Sequence, residues 1–117
     1  MARHNETGKL GEALAQKYFI EAGYNILYTN WRHKRNEVDI IAIKGEMLHF
    51  IEVKCRRSLF FGYPEESVTR SKIKNLIDAS EEFLYLNPHY KRIQFDVLSI
   101  NLTGEEATYF LIEDVYL

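Results

Sequence analysis

The sequence predicts an α/β protein, with two helices and five strands in the order α-β-β-β-α-β-β packed as a sandwich around a mixed sheet. Three observations carry this. Two segments repeat apolar residues at three- and four-residue spacing, the mark of amphipathic helices. Five shorter segments, set between and after those helices, read as strands. The chain has 117 residues, 46% of them hydrophobic and 27% charged, with no repeat and no linker rich in Gly, Pro or Ser, so residues 1–117 form a single domain with one core.

Residues 6–22 read as the first helix. Leu10, Ala13, Leu14, Tyr18 and Ala22 form its stripe, Ala15 and Phe19 widen it, and Gly23 stops it. "YNILYTNW" follows as a strand, and "RHKRN" as a loop. After the next two strands, "RRSLFFGYPEES" is an irregular connection whose Phe60, Phe61 and Tyr63 read as core cover, with a stacking surface as the alternative. The second helix spans residues 69–86, with Thr69 as N-cap and Asn87-Pro88 as its end. Ile73, Leu76, Ile77, Ser80, Phe83 and Leu84 give its inner face. "RIQFDVLSINL" alternates as a strand, Gly104-Glu105 turns the chain, and "ATYFLIEDVYL" closes the sheet.

The stretch "NEVDIIAIKGEMLHFIEVKCRR", residues 36–57, is two apolar strands that carry charge. Gly45 and Glu46 suit a two-residue type II′ turn, which has Gly first. Pairing then sets Lys44 against Met47, Ile41 against Phe50 and Ile40 against Ile51. Continued, it sets Asp39 against Glu52 and Glu37 against Lys54. All four charges share one face, while Val38, Ile40, Ala42, Ile51, Val53 and Cys55 share the other. Opposed residues have Cβ atoms about 4.5–5.5 Å apart, and like charges there destabilise a sheet. Two carboxylates at that spacing suit a hard cation such as Mg²⁺, which takes one or two carboxylates and completes its shell with water and phosphate oxygens. Lys54 on the same face is placed to orient or deprotonate an attacking water, or to stabilise charge on a phosphoryl transition state. The plainer reading is structural: Glu37–Lys54 as an ion pair, with Asp39 and Glu52 sharing a proton or a neighbouring arginine.

Net charge is −2, but it is unevenly spread. Residues 32–74 carry ten basic and six acidic groups, and residues 75–117 two basic and eight acidic. A basic zone around an acidic spot suits a phosphate polymer held near a metal, although a solvated surface of uneven charge explains it as simply. No apolar run is long enough for a membrane span, and the N-terminus has no secretory h-region. The single cysteine, Cys55, suits a reducing cytoplasm. The four histidines are scattered, so no zinc site is expected; His49 and Cys55 read as core, and Trp31 and the tyrosines as packing.

An acid on one strand followed on the next by Glu52-Val53-Lys54 resembles the PD-(D/E)xK nuclease superfamily. "GKLGEALAQKYF", "NWR", "NEVDIIA", "FIEVKCRRSLFFGYPEESV", Lys72 and "FDVLSI" together resemble the bacterial YraN family, relatives of the archaeal Holliday junction resolvases, over nearly the whole chain. The resemblance implies a restriction-endonuclease-like fold. It implies Asp39 and Glu52 as ligands of Mg²⁺ (or Mn²⁺), Lys54 as the catalytic lysine, and Glu12 on the first helix as a further acid at the metal. Glu37 matches the acid of a Gly-Glu-Xaa-Asp run in which Asn36 replaces the glycine. By position, Arg32, Lys34, Arg35, Arg56, Arg57, Arg70 and Lys72, with Lys74, are the phosphate-binding candidates, and contacts to the backbone give shape rather than sequence selection.

The reading is a magnesium-dependent endonuclease acting on structured or branched DNA, with no membrane association and, by analogy with resolvases, a homodimer. The alternative is a non-catalytic nucleic-acid-binding or adaptor domain on the same fold. A third is a protein-interaction domain using the acidic C-terminal part.

Overall fold

Helix α1 (Ala2–Glu21) begins four residues before the expected start. Residues 2–5 contain neither Gly nor Pro, and nothing in them opposes helix propagation. Its end is a Schellman motif on Gly23, whose φ is +91°. Gly23 N–H donates to the Ile20 carbonyl and Tyr24 N–H to the Phe19 carbonyl, and the Tyr24 ring meets Phe19 edge-on at 4.9 Å. This computed structural model describes residues 2–57 and 69–115; the expected connection with Phe60, Phe61 and Tyr63 lies outside them.

Strand β1 (Asn25–His33) runs two residues past Trp31, so the expected loop shrinks to a turn at Lys34-Arg35 before β2 (Asn36–Lys44). The turn at Gly45 then leads to β3 (Met47–Arg56). Gly45 has φ +61° and Glu46 does not have positive φ, as a II′ turn requires and a I′ turn does not. Helix α2 (Arg70–Leu86) starts at Thr69, whose Oγ1 accepts the Lys72 N–H at 3.3 Å, and ends at Asn87. Strands β4 (Arg92–Thr103) and β5 (Glu106–Ile112) complete the sheet around Gly104-Glu105.

The five strands lie in sequence order, β1-β2-β3-β4-β5, with β3–β4 parallel and every other pair antiparallel. The parallel step is forced by the crossover through α2. The order α-β-β-β-α-β-β and the mixed sheet agree with the sequence-based expectation. One face packs on α1: Ala15, Phe19, Ile40, Ala42, Ile51, Leu98 and Ile100 are buried there. The other packs on α2, where Val38, Ile41, Leu48 and Phe50 meet Leu76, Ala79 and Phe83. Trp31 packs here, edge-on to Phe83, but Tyr85 is 82% exposed, contrary to its expected packing role. Among the described residues no helix is long and apolar enough to cross a membrane.

Candidate functional site

The hairpin register follows the expected pairing only as far as Ile40 with Ile51. Beyond that point the sheet forks. β2 stays paired with β1 as far as Asn36, while β3 stays paired with β4 as far as Arg56. Asp39 is the first residue past the fork. Its side chain replaces the missing ladder, with Oδ2 accepting the Val53 N–H at 2.7 Å. The strand also turns here. Val38 joins the cluster under α2 and Ile40 the cluster under α1, although residues two apart ordinarily share a face. Val38 therefore departs from its expected face, and Asp39 sits between the two faces rather than on one.

The fork leaves a cavity on each side of Asp39. The one under α1 is about 300 Å³ and is lined by Thr7, Gly8, Glu12, Lys54, Cys55 and Asp39. The one under α2 is about 240 Å³ and is lined by Arg35, Glu37, Glu52, Lys72, Asn75 and Asp39. Asp39 is common to both. The expected metal ligands are thus gathered around one carboxylate but shared out, with Glu52 on one side of it and Glu12 on the other. Glu12 is held there because α1 docks closely on β3 one residue earlier. A Cβ on Gly11 would lie 2.6 Å from Cys55 Cβ.

Burial pushes the Asp39 carboxyl up to about 6, against an ordinary 3.8. The Val53 hydrogen bond pulls the other way, and the negative charges of Glu52, Glu37 and Glu12 push further up. The site is an excess of negative potential focused on one partly buried carboxylate. Among the described residues no three Asp, Glu, His or Cys side chains form a ready-made metal cage. Asp39 with Glu52 instead fits a cation that needs one or two carboxylates and takes water and substrate oxygens for the rest.

On the α2 side, Lys72 brings its ammonium close to that of Lys54. Burial holds its ammonium down at about 8, and Lys54 and Arg56 lower it further against the opposing pull of Glu52. Lys72, assigned from sequence only to phosphate binding, thus reaches the centre of the site. Glu37 does not pair with Lys54 as the hairpin pattern implied. It bonds Arg32, at 2.8 Å to Nε and 2.7 Å to Nη2, because β1 keeps Arg32 beside it after β3 has left. Arg57 Nε donates to Thr7 Oγ1 at 3.0 Å, which ties the end of β3 to α1. Lys34 and Arg70 are exposed and line neither cavity.

Sequence reasoning missed Asn75, Thr7 and the position of Cys55. Asn75 had a signal: it lies three residues after Lys72, on the same helical face, and asparagine is a poor helix former. Cys55, expected in the core, is half-buried at the cavity wall. His49 is buried, as expected, and there it meets fully buried Asp96 at 2.7 Å. Asp96 also accepts from Gln94 Nε2 and from the Asp114 backbone N–H, both at 2.9 Å. Lining neither cavity, this knot ties β3 and β4 to the segment after β5.

Residues 11–100 match the family described as "Uncharacterised protein family UPF0102". The chain is 38% identical over 116 residues to a UPF0102 protein of Flavobacterium psychrophilum, covering 99% of this chain and 98% of that one. It is 48% identical over 94 residues to one from Chlorobium limicola, covering 80% and 73%, and 42% identical over 113 residues to one from Clostridium perfringens, covering 95% and 93%. The chain belongs to the UPF0102 family, the YraN family that its motifs resemble.

Proposed function

We propose that this UPF0102 protein is a magnesium-dependent endonuclease that hydrolyses phosphodiesters in structured or branched DNA. The observation that carries the reading is the placement of Asp39. It is a partly buried carboxylate in a fork of the sheet, with acids on both sides and Lys54 and Lys72 next to it. A pure binder of nucleic acid gains nothing from acids aimed at a phosphate, because they repel it.

In this reading Asp39 and Glu52 hold the cation, with Glu12 approaching from the α1 side. A bound Mg²⁺ or Mn²⁺ supplies Lewis-acid polarisation of the phosphodiester and lowers the cost of deprotonating water. The protein's own groups do the rest. The Val53 N–H fixes the Asp39 carboxylate, so one of its oxygens is kept from turning away. Lys54 orients the attacking water or neutralises charge that develops on the phosphoryl oxygens. Lys72 and Arg35 hold the phosphate in the α2-side cavity, and Arg32, Arg56 and Arg57 form the rim that draws the polyanion in.

The test is cleavage of branched, flapped and linear DNA by wild type, Asp39→Ala and Lys54→Ala, with Mg²⁺, Mn²⁺ or chelator. Metal-dependent cleavage by wild type that both substitutions abolish supports the reading. Binding without cleavage on every substrate replaces it with the non-catalytic binding domain.

A further inference from the structure

Trp31 and His33 lie two apart on β1, an edge strand, so their side chains share one face of the sheet, the one under α2. Their rings are nearly parallel, with 13° between planes and 6.2 Å between centroids. Trp31 meets buried Phe83 edge-on at 5.5 Å, and His33 Nε2 lies 3.3 Å from Glu82 Oε2, so α2 holds both rings in place. Core packing accounts for Trp31. It does not account for the outer ring, since the His33 side chain is 31% exposed and a partly exposed pair with Glu82 stabilises a fold little. This ring sits where aromatic and basic residues interleave, in Trp31-Arg32-His33-Lys34-Arg35. Arg32 is taken up by Glu37, but Lys34 and Arg35 are exposed and form no ion pair among the described residues. Arg35 also lines the α2-side cavity, beside Asp39, Glu52 and Lys72.

We infer that the Trp31–His33 pair is a stacking platform for one unpaired base of the strand whose phosphate enters the α2-side cavity. The inference rests on the nuclease reading above and adds a substrate requirement to it. Proteins that hold single strands combine cations that track the backbone with aromatic rings on which bases stack. Both are present here within a short reach, because His33 and Arg35 are separated by at most about 7 Å of chain. One nucleotide thus gives its phosphate to Arg35 and its base to His33. Every base has a π-face, so the platform is indifferent to sequence. It is not indifferent to structure. A base inside a duplex is covered on both faces by its neighbours, and uncovering it costs least in a single strand, a flap or a branch point. Selection of structured DNA then comes from the β1 edge, and the chemistry from the fork at Asp39.

The test compares wild type, His33→Ala and His33→Phe on an oligothymidylate and on an abasic strand of the same length. Ca²⁺ replaces Mg²⁺, and salt is kept low so that backbone contacts hold both strands. Both substitutions remove the Glu82 contact, but only phenylalanine keeps a ring, so the two variants should melt alike and bind differently. His33→Ala should lose about fivefold to a hundredfold in affinity for oligothymidylate, the range for deleting one stacking ring, and nothing for the abasic strand. His33→Phe should bind oligothymidylate as wild type does. Trp31 is the sole tryptophan, so its emission reports on the platform directly. Saturating oligothymidylate should change that emission more than saturating abasic strand. Unchanged affinity of His33→Ala for oligothymidylate, an equal loss on both strands, or His33→Phe as weak as His33→Ala overturns the inference. So does a Trp31 emission that responds equally to both strands. Each of these results leaves the nuclease reading standing where wild type cleaves DNA. A wild type that neither binds nor cleaves any DNA overturns both.

Discussion

Replacing Asp39 with asparagine should make the metal-free protein more stable at alkaline pH. In the unfolded chain Asp39 ionises near 3.8, and in the fold near 6. Below 3.8 both states are protonated and the group costs nothing. Between 3.8 and about 6 the folded state keeps a proton that the unfolded state has released, so stability falls as pH rises. Above about 6 the fold carries the whole cost of a partly buried carboxylate among acids, roughly 3 kcal/mol at 1.36 kcal/mol per pH unit. Asparagine keeps the carbonyl acceptor for the Val53 N–H but cannot ionise. The stability difference, variant minus wild type, should therefore be roughly 2.4 kcal/mol more favourable at pH 8 than at pH 4, where the unfolded carboxyl is already largely ionised. Urea unfolding in chelator at both pH values measures it, with equal m-values as the check that only stability changed. Adding Mg²⁺ at pH 8 should restore wild-type stability and leave Asp39→Asn unmoved. A difference that is the same at both pH values refutes the reasoning. So does a variant that is relatively less stable at pH 8, since the ionised carboxylate would then be a stabilising acceptor for Val53.

Asp96→Ala should cost about 3–5 kcal/mol in urea unfolding, because it strands His49 in the core and releases the Asp114 N–H that holds the segment after β5. Cleavage per folded molecule should stay unchanged. Gly11→Ala should destabilise by about 1–3 kcal/mol through its clash with Cys55, and a Cys55→Gly partner should recover most of that in a double-mutant cycle. Lys72→Met should weaken DNA binding and reduce the salt slope, −dlogK/dlog[salt], by about 0.7–0.9, the signature of one lost phosphate contact. An unchanged slope would remove Lys72 from the phosphate site.

The hairpin was legible because a two-residue turn with Gly first sets the register of everything near it. Lys44 with Met47 through Ile40 with Ile51 followed from Gly45 alone. The fork was not legible. Alternation of apolar and polar residues encodes a face, and it does not encode where a ladder stops. For that reason Glu37 was assigned to Lys54, when the competing partner was Arg32 on β1, a segment read as loop. The site acids were legible as a group, since charges amid apolar strand residues need a reason. Their division between two cavities was not, because it depends on β2 turning at Asp39 between Val38 and Ile40. Lys72 was visible as a basic residue at a helix start and as a match to the YraN pattern, but not as a neighbour of Lys54. That it faces Lys54 is a consequence of how α2 packs over Leu48 and Phe50, through Leu76, Ala79 and Phe83.

The central claim is that the fork between β2 and β3 holds a divalent cation on Asp39. Substoichiometric Mn²⁺ added to isotope-labelled protein tests it most directly, since the paramagnetic ion broadens nearby amide signals first. The account predicts loss of the Asp39, Glu52 and Val53 signals ahead of all others in wild type, and no such localised loss in Asp39→Asn. Broadening spread over the acidic residues 75–117, or the same pattern in both proteins, would contradict it.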